Sequence, residues 1–222
     1  MASAKKKRSE NGPPKSNATH TKPYHHGDLR NALIESAVAI LEKEGVQGLT
    51  LRKAAARAGV SHSAPYRHFA AKEALIAEIS RIGFEELGRR GREYIKGLRN
   101  PAQRLKAYGQ AYIEFAAEKP THFRIMFGEK ELDPENYPDL ASTADDTFQL
   151  LVELVAECQN ASLFEKGDPY KLAAANWAFV HGLAHLLVDQ KLLWMLKSKR
   201  PAERARELWT SMQDMLMQGL EQ

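Results

Sequence analysis

Leu29, Leu33, Ala37, Ile40 and Leu41 fall at offsets of 0, 4, 8, 11 and 12, which lays one apolar stripe along a helix. Arg30, Glu35, Glu42 and Lys43 stay on the water side of that stripe. The pattern predicts a helix over 29–45, ended by Gly45, with Gly48 helping the turn to Thr50. A short helix is expected over 51–57 and a second one shortly after it. A longer helix over 72–98 carries Leu75, Ile76, Ile79, Ile82 and Leu87 on its inner side, with Gly83, Gly88 and Gly91 weakening or bending it. Asn100-Pro101 opens a helix to Glu118 with Leu105, Tyr108, Tyr112 and Phe115, and Lys119-Pro120 closes it. Further helices are expected over 121–127, 141–158, 169–195 and 201–220, with an acidic loop over 128–138. No segment alternates as a strand would and no internal repeat stands out, so the fold class is all-α.

The stretch from Thr50 to Leu75 carries the most chemistry. Thr50 is a good N-cap, and Ala54, Ala55 and Ala58 leave so little bulk that another helix can approach closely. Gly59 supplies the backbone freedom of a sharp turn and Val60 fills the corner. Ser61 can cap the next helix, whose exposed side chains would be His62, Ser63, Tyr66, Arg67 and His68. Pro65 lacks an N–H and disfavours helical geometry at Ala64, so that helix is expected to start late or irregularly. A hydroxyl-rich helix presented in this way fits a DNA major groove. From spacing alone, a plain helical hairpin with a capped turn reads the same way.

The pattern T-x-R-x-x-A-x-x-A-G-V-S, then Y-R-H-F, then K-E-x-L resembles the N-terminal domain of TetR-type transcriptional regulators. Thr50, Arg52, Ala55, Ala58, Gly59, Val60, Ser61, Tyr66, Arg67, His68, Phe69, Lys72, Glu73 and Leu75 carry it. Ala54 stands where that pattern has a larger aliphatic residue, and Ala71 where it has a polar cap. A second, shorter resemblance lies in WAFVHGLAHLLV, where Trp177, His181 and Gly182 match the pattern of the WHG type of TetR C-terminal domain. The upstream segment AYIEFAAEKPTHFRIMF is similar to the same type.

The resemblance implies a helix-turn-helix DNA-binding domain over 23–71 and a helical effector-binding and dimerisation domain over 72–222, while the polar, weakly hydrophobic residues 1–22 read as a disordered basic tail. It implies phosphate contacts from Thr50, Tyr66, His68 and Lys72, and base contacts from Ser61, His62, Ser63 and Arg67. Arg52 and Pro65 lie on the same surface, and Tyr24 and His25 stand near the backbone. The implied partners are double-stranded DNA with an inverted-repeat operator, a small effector of largely apolar character, and a second copy of the chain. The homodimer would form through the last two long helices, carrying Leu183, Leu186, Leu187 and Trp194, and Leu208, Trp209, Met212, Met215 and Leu216. The function expected is that of a repressor released by its effector; the alternative is an architectural DNA-binding protein without effector control.

Charge agrees with that polarity. Residues 1–72 hold 13 Lys and Arg against 5 Asp and Glu, a balance of +8, while the remaining residues hold 19 against 23, a balance of −4. Lys5, Lys6, Lys7 and Arg8 lie in the polar tail, where weak, salt-sensitive phosphate attraction is favoured over specific reading. No run of about eighteen apolar residues occurs and the N-terminus lacks the apolar core of a signal peptide, so a soluble, cytoplasmic, bacterial protein without membrane partners is expected. Cys158 lies in an apolar helical run and reads as a buried inert thiol.

Candidate ligand-binding residues are Tyr112, Phe115, Phe123, Met126, Phe127, Phe148, Trp177 and His181. Aromatic residues at helical spacing also serve as simple core, so each position carries both readings. His181 and His185 share one helix face, but Gly182 stands where a zinc-enzyme helix has glutamate, and no third ligand is evident. Neither metal nor cofactor is expected. Gly182 reads as a point of close helix contact and His181 as a buried hydrogen-bonding group. With no nucleophile, carboxylate cluster or phosphate-cradling loop, no enzyme activity is expected either.

Overall fold

A computed structural model describes residues 26–128 and 132–218, the side chains of 26–28 and 215–218 excepted. The basic tail, Tyr24 and His25 therefore lie outside the described residues, as do the side chains of Met215 and Leu216. Eight α-helices and two single 3-10 turns account for the regular structure among the described residues: α1 His26–Gly48, α2 Leu51–Arg57, a turn Ala64–Arg67, α3 Lys72–Ile95, α4 Pro101–Glu118, α5 Pro120–Met126, α6 Pro138–Asn160, α7 Pro169–Val188, a turn Leu193–Met195, and α8 Pro201–Gln218.

The small N-terminal core is built from the α1 stripe. Leu33 and Ala37 are fully buried, and they pack with Leu49, Leu51, Ala54, Phe69, Leu75 and Ile79. Each such Leu or Ile contributes about 1.5–3 kcal/mol over its exposed state. Helical geometry in α1 breaks at Gly45, whose φ of 67° is left-handed. Thr50 caps α2 as expected, its Oγ1 accepting from Lys53 N at 3.1 Å. Gly59, at φ 70°, turns the chain after α2, and Val60 N closes on Ala55 O at 3.0 Å. Arg30 of α1 pairs with Glu78 of α3 at 2.9 Å and lies over the Phe69 ring at 5.5 Å.

The second short helix is a single 3-10 turn of four residues. Ser61 does not cap it. Ser63 holds the N-cap position without a side-chain capping bond, its Oγ instead hydrogen-bonding Ser61 Oγ at 3.3 Å. Pro65 accounts for the shortening, since it removes a donor and restrains Ala64 within the first turn.

Helix α3 joins the two halves. Leu75 and Ile79 belong to the N-terminal core, whereas Leu87 and Ile95 enter two apolar clusters of the C-terminal half. Its N-cap, Ala71, offers no side-chain hydrogen bond. Its glycines mark close approaches: a Cβ at Gly83 would meet Met126 of α5, one at Gly91 the Tyr108 ring of α4, and one at Gly88 would lie 3.3 Å from Thr147 Oγ1 of α6. Among the described residues α4 is the hub, packed against α3, α6, α7 and α8. The Trp209 ring of α8 lies across Gly109, and its Nε1 donates to Lys106 O at 3.0 Å. Cys158 is buried, and burial pushes its thiol up to about 11.

Helix α7 ends at Val188, seven residues before the expected Met195. Gln190 takes a left-handed φ of 59°, while Gln190 N and Lys191 N close back on Leu187 O and Leu186 O. This is a C-terminal cap made by glutamine rather than glycine. No helix among the described residues is long and apolar enough to cross a membrane.

Candidate functional site

Two features stand out, one in each half of the molecule. The first is an open groove between the start of α2 and the start of α3, bordered by Gln47, Thr50, Arg52, Tyr66 and Lys72. Four of these are sequence-expected contact residues, brought together from three elements. Tyr66 is 55% exposed, and Arg52 and Thr50 are also exposed. Lys72 Nζ donates to Val46 O at 3.1 Å, near the end of α1.

The 3-10 turn and the residues before it present Ser61, His62, Ser63 and Arg67 to solvent. Pro65, also expected on the contact surface, is buried and so is not presented with the exposed residues of the turn. His68 is half-buried, and its Nε2 is enclosed without a partner, so that nitrogen is not offered outward. Lys53, absent from the expected set, is exposed beside Arg52 but pairs with Glu44 at 2.6 Å.

The second feature is an apolar cavity of about 320 Å³ between the two C-terminal clusters. Helix α3 contributes Phe84 and Leu87, α4 contributes Tyr108, Gly109 and Tyr112, and Phe127 closes one end just after α5. The remaining wall comes from Ala144, Thr147, Phe148 and Leu151 of α6 and from Asn176, Trp177 and Val180 of α7. Tyr112, Phe127, Phe148 and Trp177 therefore line it as expected. Phe115, Phe123, Met126 and His181 do not. Phe115 and Phe123 are fully buried core residues, and Met126 is turned onto Gly83.

His181 stands one layer behind the wall. Its Nδ1 lies 2.6 Å from Tyr112 Oη, and Trp177 Nε1 donates to the same hydroxyl at 3.2 Å. Its ring packs against Phe127 at 4.6 Å and against His185 at 4.5 Å between centroids. Burial, with the neighbouring His185, lowers the His181 pKa to about 4, so the imidazole is neutral at pH 7. Burial also raises the Tyr112 hydroxyl far above its ordinary range. This chain of partners holds the Tyr112 and Trp177 rings in place. No group of three or more His, Cys, Asp or Glu suited to a metal occurs among the described residues.

The cavity residues that sequence reasoning missed, chiefly Phe84, Tyr108, Thr147 and Asn176, come from all four helices. Gly182 also departs from expectation: a Cβ there would meet nothing within 4 Å, so it mediates no close contact inside the chain. Of the residues assigned to a partner face, Leu183, Leu187, Leu208 and Trp209 are buried in the chain's own core. Leu186 and Trp194 remain exposed, Trp194 at 83%.

A helix-turn-helix module joined by one continuous helix to a helical domain with an apolar cavity is the architecture of a DNA-binding transcriptional regulator. Two family models match: "Bacterial regulatory proteins, tetR family" over residues 33–79, and "Tetracyclin repressor-like, C-terminal domain" over residues 105–212, which takes in Trp177, His181 and Gly182. The chain belongs to the TetR family of transcriptional regulators.

The HTH-type transcriptional repressor KstR2 of Mycobacterium tuberculosis is 30% identical over 102 residues, 46% of this chain and 50% of KstR2. The chain thus spans about half the length of the curated relatives it matches. Among solved structures, a protein of unknown function from Rhodococcus sp. RHA1 is 32% identical with a TM-score of 0.75, over 91% of this chain and 100% of that one. AibR, solved in complex with isovaleryl coenzyme A and operator DNA, is 18% identical with a TM-score of 0.66, over 85% of this chain and 98% of its own, a likeness of fold.

Proposed function

We propose that the protein is a homodimeric, sequence-specific repressor whose grip on its operator is released by a small molecule in the C-terminal cavity. The observation that carries this reading is the position of α5. Phe127, at its end, forms part of the cavity wall, Ile125 packs against the N-terminal core, and Met126 rests on Gly83 of α3. Ser80 Oγ of α3 also donates to Ile125 O at 3.4 Å. A ligand that moves Phe127 therefore pushes on the element that supports the DNA-facing module, with α3 as the lever. Only a ligand that binds the two conformations unequally shifts DNA affinity, and a tenfold loss needs about 1.4 kcal/mol of difference.

On this reading Thr50, Arg52, Tyr66 and Lys72 meet phosphates around the groove, while Ser61, His62, Ser63 and Arg67 face base edges. A four-residue element reads few base pairs, so two copies and an inverted repeat are required. The outward face of α7 supports a dimer: Ala174, Ala178, Gly182 and Leu186 are exposed along it, and so small a surface admits a second helix at close range. The liganded operator complex of AibR supports the pairing of effector and DNA functions in this fold.

The test is fluorescence anisotropy of the purified protein with DNA from its own upstream region and with a scrambled duplex, at two salt concentrations. Selective binding that persists at the higher salt supports an operator. Equal, steeply salt-dependent binding to both duplexes would instead support the architectural alternative. Tyr66→Ala and Lys72→Ala are expected to weaken all DNA binding, the latter lowering the salt slope by about one unit. Operator affinity unchanged in both would refute those two contacts.

A further inference from the structure

We infer that the cavity selects an uncharged, largely apolar molecule bearing a carbonyl oxygen, and that Asn176 is the residue that receives this oxygen. The inference rests on the reading of the cavity as the effector site and deepens it.

The other polar groups of the wall already have partners. Tyr108 Oη donates to Thr147 O at 2.8 Å. Thr147 Oγ1 is engaged by Phe84 O at 3.2 Å and Thr143 O at 2.9 Å. Tyr112 Oη is shared between His181 and Trp177. Asn176 is left: it is 3% exposed, it borders the cavity, and its Nδ2 is buried with no hydrogen-bond partner. A buried amide donor without an acceptor is an uncommon and costly arrangement in a folded protein. A ligand acceptor relieves it once the carboxamide turns Nδ2, enclosed in the empty cavity, toward the ligand.

The rest of the wall narrows the ligand class. Among the described residues, no Lys, Arg, His, Asp or Glu lines the cavity, so there a carboxylate or phosphate would enter without a counter-charge. A carbonyl brings an acceptor and no donor of its own, which is the complement of the unpaired N–H. The volume lies at the lower end of the range for small-molecule sites, favouring a compact molecule over a nucleotide-bearing one.

The test uses short 2-alkanones, each paired with the n-alkane of equal heavy-atom count and with the corresponding n-alkanoate. Affinities for the full-length protein and for Asn176→Leu are measured by titration calorimetry. Because alkanes leave water more readily than ketones, the informative quantity is the change of each affinity on mutation. Asn176→Leu is expected to weaken the ketones about tenfold while leaving the alkanes unchanged or tighter. Wild-type protein should prefer the ketone to the alkanoate.

Equal changes for ketones and alkanes would overturn the role of Asn176, as would a wild-type preference for alkanoates. Binding of no member of any series would overturn the cavity reading itself, and the inference with it. Adding each binder to the operator complex separates the two levels: ketone selectivity without operator release would refute effector control and leave the Asn176 assignment standing. Asn176→Leu removes an unpaired polar group, so its urea midpoint should match or exceed that of wild type; a large fall would show that the amide is needed by the fold and overturn its assignment to a ligand.

Discussion

Replacing the glycines of α3 one at a time by alanine separates helix propensity from packing. In an exposed helix interior, glycine to alanine gains about 1 kcal/mol. At Gly91 the new Cβ would fall against the Tyr108 ring, with Cδ2 at 2.7 Å. That ring is 5% exposed and tethered through its hydroxyl to Thr147 O, so it can yield only toward the cavity it lines. Overpacking of this kind costs about 1–3 kcal/mol, so the propensity gain is cancelled and Gly91→Ala should destabilise by roughly 0–2 kcal/mol. At Gly88 the nearest atoms lie at 3.3 Å, one on the flexible Arg92 guanidinium and the other the Thr147 hydroxyl. Gly88→Ala should therefore keep part of its gain, roughly 0–1 kcal/mol. Urea unfolding at pH 7 reads both. Since Tyr108 also lines the cavity, Gly91→Ala should weaken binding of small apolar molecules and Gly88→Ala should not. Equal stabilisation by both substitutions would show that the Tyr108 contact imposes no constraint, and would refute the reasoning.

Thr50→Ala removes the cap that accepts from Lys53 N and should cost about 1 kcal/mol, measurable as a lower urea midpoint; Thr50→Ser should restore most of it. Phe123→Ala opens a void in a fully buried aromatic layer and should cost about 3–5 kcal/mol, with a loss under 1 kcal/mol arguing that the layer collapses without penalty. The depressed pKa of His181 has a defined sign. Its unfolded form takes up a proton near pH 6.5 and its folded form only near 4, so stability is full above pH 6.5 and declines as pH falls toward 4. His122, half-buried and beside Lys119, is shifted the same way, so His181→Gln should flatten that limb of the stability profile in part; an unchanged profile would count against a neutral, enclosed His181.

Local chemistry was legible wherever one residue decides one geometry. Thr50, Gly45, Gly59 and Asn100 each announce a cap or a turn, and each is found there. Pro65 warned of an irregular second helix, although not that it would shrink to one turn with its proline turned inward. Gln190 gave no warning, because glutamine carries no bias toward the left-handed conformation that ends α7. The cavity was legible only in part, since an aromatic residue at helical spacing looks the same whether its ring meets a neighbour or a void. Tyr112 and Phe115 are three residues apart on one helix, yet only the first borders the space. Asn176 is hidden for a related reason: nothing in the sequence reveals that a polar residue on α7 points inward. The three glycines of α3 read as weak points in a helix, whereas the structure uses them as contact points for Met126, Tyr108 and Thr147.

The placement of Trp177 gives the molecule an optical reporter of its own. Its indole is 36% exposed at the cavity wall, while Trp209 is 2% exposed and Trp194 is 83% exposed. One of the three emitters is thus permanently dry, one permanently wet in the single chain, and one held at the boundary. A molecule entering the cavity strips water from Trp177 alone and shifts its emission to the blue, whereas a surface laid over the end of α7 acts on Trp194. Filling of the cavity and covering of that end can therefore be timed separately in unlabelled protein, with single-tryptophan variants assigning each signal.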